Sequence, residues 1–130
     1  MFQDSKAFSG FSVNDLDAAK AFYGDKLGLT VHEVAEGLVL EVNGNSNNIF
    51  IYPKPDHVPA AYTILNFPVD DIDQTAQALT DAGISLEQYE GMTDEHGIAR
   101  GISAHRGPDI LWFKDPAGNI LSALHEPERQ

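Results

Sequence analysis

Residues 8–31, FSGFSVNDLDAAKAFYGDKLGLTV, are echoed by residues 64–86, ILNFPVDDIDQTAQALTDAGISL. With Val13 set on Val69, Phe11 falls on Phe67, Asp15 on Asp71, Leu16 on Ile72, Asp17 on Asp73 and Asp25 on Asp81. A one-residue gap then brings Gly28 onto Gly83. A chain of 130 residues that repeats itself in this way builds one supersecondary unit twice.

Each copy carries the same physical instructions. A short strand comes first, Phe8–Val13 and then Ile64–Val69. Asp15 or Asp71 follows as a helix N-cap, where a carboxylate meets unpaired backbone N–H groups and the positive end of the dipole. Gln74, three residues past Asp71, has the capping-box position. Helical spacing then places Leu16, Ala19, Tyr23 and Leu27 on one face of the first helix, and Ile72, Ala76, Leu79 and Ala82 on one face of the second. Gly28 and Gly83 stand where a helix ends in a left-handed residue.

Alternating segments follow each helix: TVHEV, LVLEV and NIFIY in the first copy, and ISLEQY, GIARGIS, ILWFK and NILSALH in the second. KDPAGN reads as a tight turn, and GNSNN as a hairpin turn. YPKPDHVPA is Pro-rich and extended, and links the copies. The fold class expected is α+β, with two βαβββ modules in tandem inside a single domain, 1–130. The first module spans 6–54 and the second 61–126. Each helix covers one face of a small, mixed and mostly antiparallel sheet. The opposite sheet faces are expected to meet and enclose a cleft.

Composition bounds the function. Apolar residues make up 42% of the chain, enough for a core, and no apolar run approaches the length of a membrane span. The N-terminal MFQDSKAF has no basic segment followed by an apolar one, so no secretory signal is expected. There is no cysteine, which removes disulfides and thiolate chemistry and agrees with a cytoplasmic protein. A net charge of −12 repels phosphates, so neither nucleic acid nor a membrane surface is an expected partner.

VNDLDAAKAFYGDKLGL near the start, LNFPVDDID in the middle and WFKDPAGNIL near the end resemble the vicinal oxygen chelate superfamily, which includes glyoxalase I, bleomycin-resistance proteins and extradiol dioxygenases. The resemblance covers roughly residues 6–126. It implies paired βαβββ modules, a ligand cleft and commonly a homodimer. In metal-dependent members, first and last strands of each module supply His or Glu ligands to one divalent ion. Carried onto this chain, the resemblance puts those positions at Phe8, Ile64, Ser122 and either Ile51 or Tyr52.

None of these side chains suits a divalent ion, which takes imidazole, carboxylate or carbonyl oxygen. The five histidines, His32, His57, His96, His105 and His125, show no H-x-H or H-x-x-x-H spacing and read as surface or loop groups. No G-x-S-x-G or phosphate-binding glycine loop is present. No metal or other cofactor is therefore expected, and no catalytic residue is assigned.

Strand alternation gives the cleft lining. Phe8, Ser12, Ile64 and Asn66 face the cleft from the first strands, Ile51 or Tyr52 and Ser122 from the last strands, with Trp112 beside them. The segment 91–107, GMTDEHGIARGISAHRG, reads either as a lid bringing His96 and Arg100 to a polar ligand or as a mobile surface loop. Phe8 and Ile64 either touch a ligand or plug the cleft, and Trp112 is either a ligand platform or a core or interface anchor. The expected function is metal-free binding of a small apolar or aromatic molecule. The alternative is a lyase, isomerase or dioxygenase of the same superfamily with relocated site residues, for which His96, Tyr52, Tyr62 and Glu41 are the candidates.

Overall fold

The computed structural model describes residues 1–43 and 47–126. The chain divides into two compact units, one ending at Val58 and one starting at Pro59. Each contains a four-stranded mixed sheet and a helix, so the architecture is α+β with two βαβββ-like modules.

In the first unit, β1 (Ser9–Val13) leads into α1 (Leu16–Lys20), followed by β2 (Thr30–Val34), β3 (Gly37–Val42) and β4 (Asn47–Pro53). The sheet order is β1-β4-β3-β2, with β1 parallel to β4 and the other pairs antiparallel. Asp15 caps α1 through the Ala18 N–H at 3.1 Å. The helix then widens into a π-helical segment, Ala21–Lys26, where the Leu27 N–H donates to the Phe22 carbonyl at 3.0 Å. This changes the face expected from α spacing. Phe22 and Tyr23 are both buried, with ring centroids 5.1 Å apart, because the extra residue in the turn brings neighbours in sequence onto one side. They pack with Val13, Leu38, Leu40 and Ile51, all 3% exposed or less. The GNSNN turn falls partly at 44–46, outside the described residues.

The second unit repeats the plan: β5 (Thr63–Pro68), α2 (Ile72–Asp81), β6 (Ile98–Arg100), β7 (Asp109–Lys114) and β8 (Ile120–His125), in the order β5-β8-β7-β6. Asp71 accepts the Gln74 backbone N–H at 3.0 Å, and Thr75 Oγ1 donates to the Asp71 carbonyl at 2.9 Å. Ile72, Ala76 and Leu79 are buried as helical spacing predicts. Gly28 and Gly83 take φ of +74° and +82° just beyond their helices, the conformation that costs a glycine least.

Three expectations for this unit change. ISLEQY is not a full strand; only Leu86 bridges Phe113, and the Glu87 N–H reaches the Trp112 carbonyl at 2.8 Å. Segment 91–107 is not a loop throughout, since its GIARGIS run forms a short strand as the alternation suggests. It contains β6 and is tied down by Asp94, whose Oδ1 accepts the His96 and Ile98 N–H groups at 2.8 and 3.0 Å. In β5 the register shifts between Thr63 and Leu65, so Ile64 is an inserted residue. The KDPAGN turn closes on a buried carboxylate. Asp115 Oδ1 accepts the Ala117 and Asn119 N–H groups at 3.0 and 2.8 Å, and Oδ2 accepts Asn119 Nδ2 at 2.9 Å. Among the described residues, no helix is long and apolar enough to cross a membrane.

Candidate functional site

Each sheet has one face turned to its helix and one turned away. In the first unit, the 6.0 Å contact between the rings of Phe11 and Tyr23 identifies the helix side. Ile51 is the cross-strand partner of Phe11 and is fully buried there. Tyr52 is the partner of Ser12 on the opposite, helix-free face. The two registers left open by the sequence are thus separated: Tyr52 shares a face with Ser12, and Ile51 is core. Phe8 precedes the strand, which starts at Ser9, and is 70% exposed.

Phe50 belongs to the same helix-free face. It lies opposite Gly10 on one side and Val39 on the other, and its ring stacks on Tyr52 at 5.9 Å with planes 22° apart. Gly10 permits that approach: a Cβ there would sit 3.1 Å from the Phe50 carbonyl oxygen. The register also shows that Phe50, rather than Ile51 or Tyr52, is the counterpart of Ser122, since Gly10 pairs with Phe50 as Asn66 pairs with Ser122. Counting residues could not reveal this, because the two copies differ in the number of residues between first and last strands.

His57 completes the first face. Its Nδ1 lies 2.6 Å from Ser12 Oγ, and its backbone N–H donates to the Lys54 carbonyl at 2.9 Å. Lys54 in turn donates from its N–H to Val13 at 2.8 Å, so the segment after β4 is folded back on the sheet rather than extended as a linker. His57, read from the sequence as a surface or loop group, is thus a loop residue bonded to the sheet, while His125 lies in β8 and its Nδ1–H donates to the Val69 carbonyl at 3.0 Å.

In the second unit, Asn66, Ser122 and Trp112 stand in one row across β5, β8 and β7. Their neighbours in sequence, Leu111, Phe113, Leu121 and Ala123, are buried toward the helix. The Ser122 hydroxyl donates to Asn66 Oδ1, and Ser122 is fully buried. Trp112 Nε1 donates to Thr63 Oγ1 at 3.2 Å, and the indole meets the Tyr89 ring edge-on at 5.4 Å. Ile64 sits half-buried at the strand's irregularity.

Arg100 and His96 do not join this row. Arg100 points to the helix side, where its guanidinium holds both oxygens of Asp73 at 2.6 and 3.0 Å and Asp94 Oδ2 at 3.0 Å. The hydrogen bond from Arg100 holds the Asp73 carboxyl below its ordinary range. Burial pushes the Asp94 carboxyl up, but the donors Ile98, Arg100 and His96 together outweigh it and leave it lowered. The bond to Asp73, ahead of that to Asp94, raises the guanidinium further despite partial burial. The His96 side chain is 67% exposed, with Nε2 3.5 Å from Glu95. Of the remaining acid–base candidates, Tyr62 is 71% exposed, and Glu41 lies 3.9 Å from His32 Nε2.

The positions implied for metal ligation carry Phe8, Phe50, Ile64 and Ser122. Three have no donor atom, and the fourth offers a hydroxyl engaged with Asn66. Among the described residues, no three His, Cys, Asp or Glu side chains gather so as to hold a metal ion. The residues present do not fit a divalent ion.

Two mixed sheets, each backed by a helix, with the parallel pairing of first and last strands in each, define the paired βαβββ class. A family model for the Glyoxalase/Bleomycin resistance protein/Dioxygenase superfamily matches residues 8–122, and the chain belongs to that superfamily. Solved structures agree on the fold. FosX, a genomically encoded fosfomycin resistance protein from Listeria monocytogenes, is similar with a TM-score of 0.70 at 11% identity, over 93% of this chain and 92% of that one. TnmS3, an antibiotic binding protein from Streptomyces sp. CB03234, gives 0.66 at 19% identity over 94% and 97%. A glyoxalase/bleomycin resistance protein/dioxygenase from Alicyclobacillus acidocaldarius gives 0.65 at 18% over 98% and 96%. No curated protein matches the chain.

Proposed function

We propose that this chain is a metal-free small-molecule-binding member of the superfamily, taking an apolar or aromatic organic molecule against helix-free sheet faces. The observation that carries the reading is the make-up of those faces. Phe50 stacked on Tyr52, and Trp112 beside Tyr89, supply ring surface. Ser12 with His57, and Asn66 with Ser122, supply polar pairs. Rings with a few oriented polar groups are the usual lining of a small-molecule site. Similarity in fold to TnmS3, an antibiotic binding protein, supports the same reading. Cytoplasmic residence and pairing of two copies into a homodimer belong to it as well, the latter checked by light scattering on the purified protein.

The test is a thermal-shift screen against aromatic and antibiotic-like molecules, with Trp112, the only tryptophan, as a fluorescent reporter on its own sheet. A true ligand at 100 times its Kd stabilises by about 2.7 kcal/mol, and binding near the indole changes Trp112 emission. Stoichiometric binding of zinc, nickel, manganese or iron, with a turnover that a chelator abolishes, would overturn the proposal.

A further inference from the structure

We infer that His57 is the hydrogen-bond donor that selects the guest on the first sheet: its Nε2–H meets an acceptor oxygen of an aromatic molecule lying on Phe50 and Tyr52. The inference rests on the binding reading above and names the chemical class it favours, an aromatic ketone, quinone or phenolate over a hydrocarbon of the same shape.

Placement is the first support. Ser12 is the cross-strand partner of Tyr52, so the imidazole bonded to Ser12 stands at the Tyr52 end of the aromatic face. The ring is also held in orientation. The backbone N–H of His57 is bonded to Lys54, and that of Lys54 to Val13 of β1, which ties the imidazole to the sheet by main-chain bonds on each side of Pro55 and Asp56.

The tautomer is the second support. The 2.6 Å separation of Ser12 Oγ and His57 Nδ1 is shorter than N–H donors usually reach and lies within the range for hydroxyl donors. We take the hydroxyl as the donor and Nδ1 as the acceptor, the assignment that so short a separation favours, and this places the ring proton on Nε2. That nitrogen is buried and has no hydrogen-bond partner among the described residues. A buried donor without an acceptor is costly to keep, and groups of this kind mark places where a ligand or water completes the structure. An apolar guest cannot answer it. A carbonyl or phenolate oxygen can, and at the edge of a ring stack it arrives attached to an aromatic system.

The experiment compares two probes of one shape, 2-acetylnaphthalene and 2-ethylnaphthalene, by fluorescence and by NMR of the full chain. Wild type is expected to bind the ketone about tenfold more tightly than the hydrocarbon, and the His57 Nε2–H resonance to shift with the ketone only. In His57→Phe the ratio falls to near one. Ser12→Ala, which releases the tautomer, lowers the ratio as well and serves if the His57 variant does not fold. Equal binding of both probes by wild type, or a preference that survives His57→Phe, overturns the role of His57 while leaving the binding reading intact. If neither probe binds and no aromatic resonance of Phe50 or Tyr52 moves, the binding reading fails and this inference falls with it.

Discussion

The Ser122 hydroxyl donates to Oδ1 of Asn66 at 2.5 Å across the parallel pair β5–β8, and the equivalent place in the first sheet is filled by Gly10 facing Phe50. The repeat thus gives one position an amide–hydroxyl pair and the other an aromatic ring over bare backbone. Because Ser122 is fully buried while Asn66 is exposed, truncation of either leaves a different residue to be satisfied. Ser122→Ala frees an acceptor that water can reach, and should cost about 1 kcal/mol in urea unfolding. Asn66→Ala strands a buried hydroxyl and should cost more. The double variant is expected to cost less than the sum by roughly 1 kcal/mol, the coupling of the pair.

Arg100 gives the protein an acid-sensitive fastening. The Asp73 and Asp94 carboxyls sit below their ordinary value of 3.8 in the folded chain. A carboxyl depressed on folding contributes stability that is complete above its unfolded value and is lost as pH falls through the folded one. The loss therefore belongs below pH 3.8. Arg100→Gln should flatten the acid limb of a stability–pH curve in that window. At neutral pH its effect should be small, because these side chains are a third or more open to water on the Asp73 side. Hydrogen exchange at Ile98, bonded to Asp94, should quicken in the same variant.

The carboxylate of Asp115 is 4% exposed and accepts three N–H donors in the β7–β8 turn. Asp115→Ala orphans donors on Ala117 and Asn119 at once. It should destabilise by roughly 3 kcal/mol, and Asp115→Asn by less, since one acceptor oxygen remains. Chemical denaturation of the two variants checks the order, and a cost for Asp115→Ala no larger than that of an exposed turn residue would count against the account.

Metal should be irrelevant to folding. Because the four family positions hold Phe8, Phe50, Ile64 and Ser122, neither EDTA nor added zinc, nickel or manganese is expected to move Tm, whereas an ion bound only by the native state would raise it. Calorimetry with and without each ion reads this directly.

The module plan was legible because period and capping both repeat. Asp15 and Asp71, two helical faces and two C-terminal glycines occur in the same order, and each acts locally. Phe22 was not legible, since a π turn shifts the buried face by one residue and α spacing cannot signal it. ISLEQY alternates like a strand, yet β6 takes most of the pairing along that edge of β7. On the candidate faces, alternation placed Ser12, Asn66 and Ser122 correctly to the side away from the helix, but a pattern of period two cannot choose between Ile51 and Tyr52. His57 was hidden because a Pro-rich segment has no periodicity, and its partner Ser12 is 45 residues away. Arg100 reads from the sequence as available for a ligand, but Asp73, 27 residues earlier, holds it.

Ile64 acts as a spacer. Thr63 and Asn66 are an odd number of positions apart, yet both serve the side of the sheet that Trp112 occupies. In an uninterrupted strand they would point in opposite directions. Were Ile64 drawn into the ladder and the irregularity ironed out, Thr63 would turn over, the indole N–H would lose its hydroxyl, and the face would be spoiled from its far edge. At this spot the bulge is under as firm a constraint as the chemistry beside it.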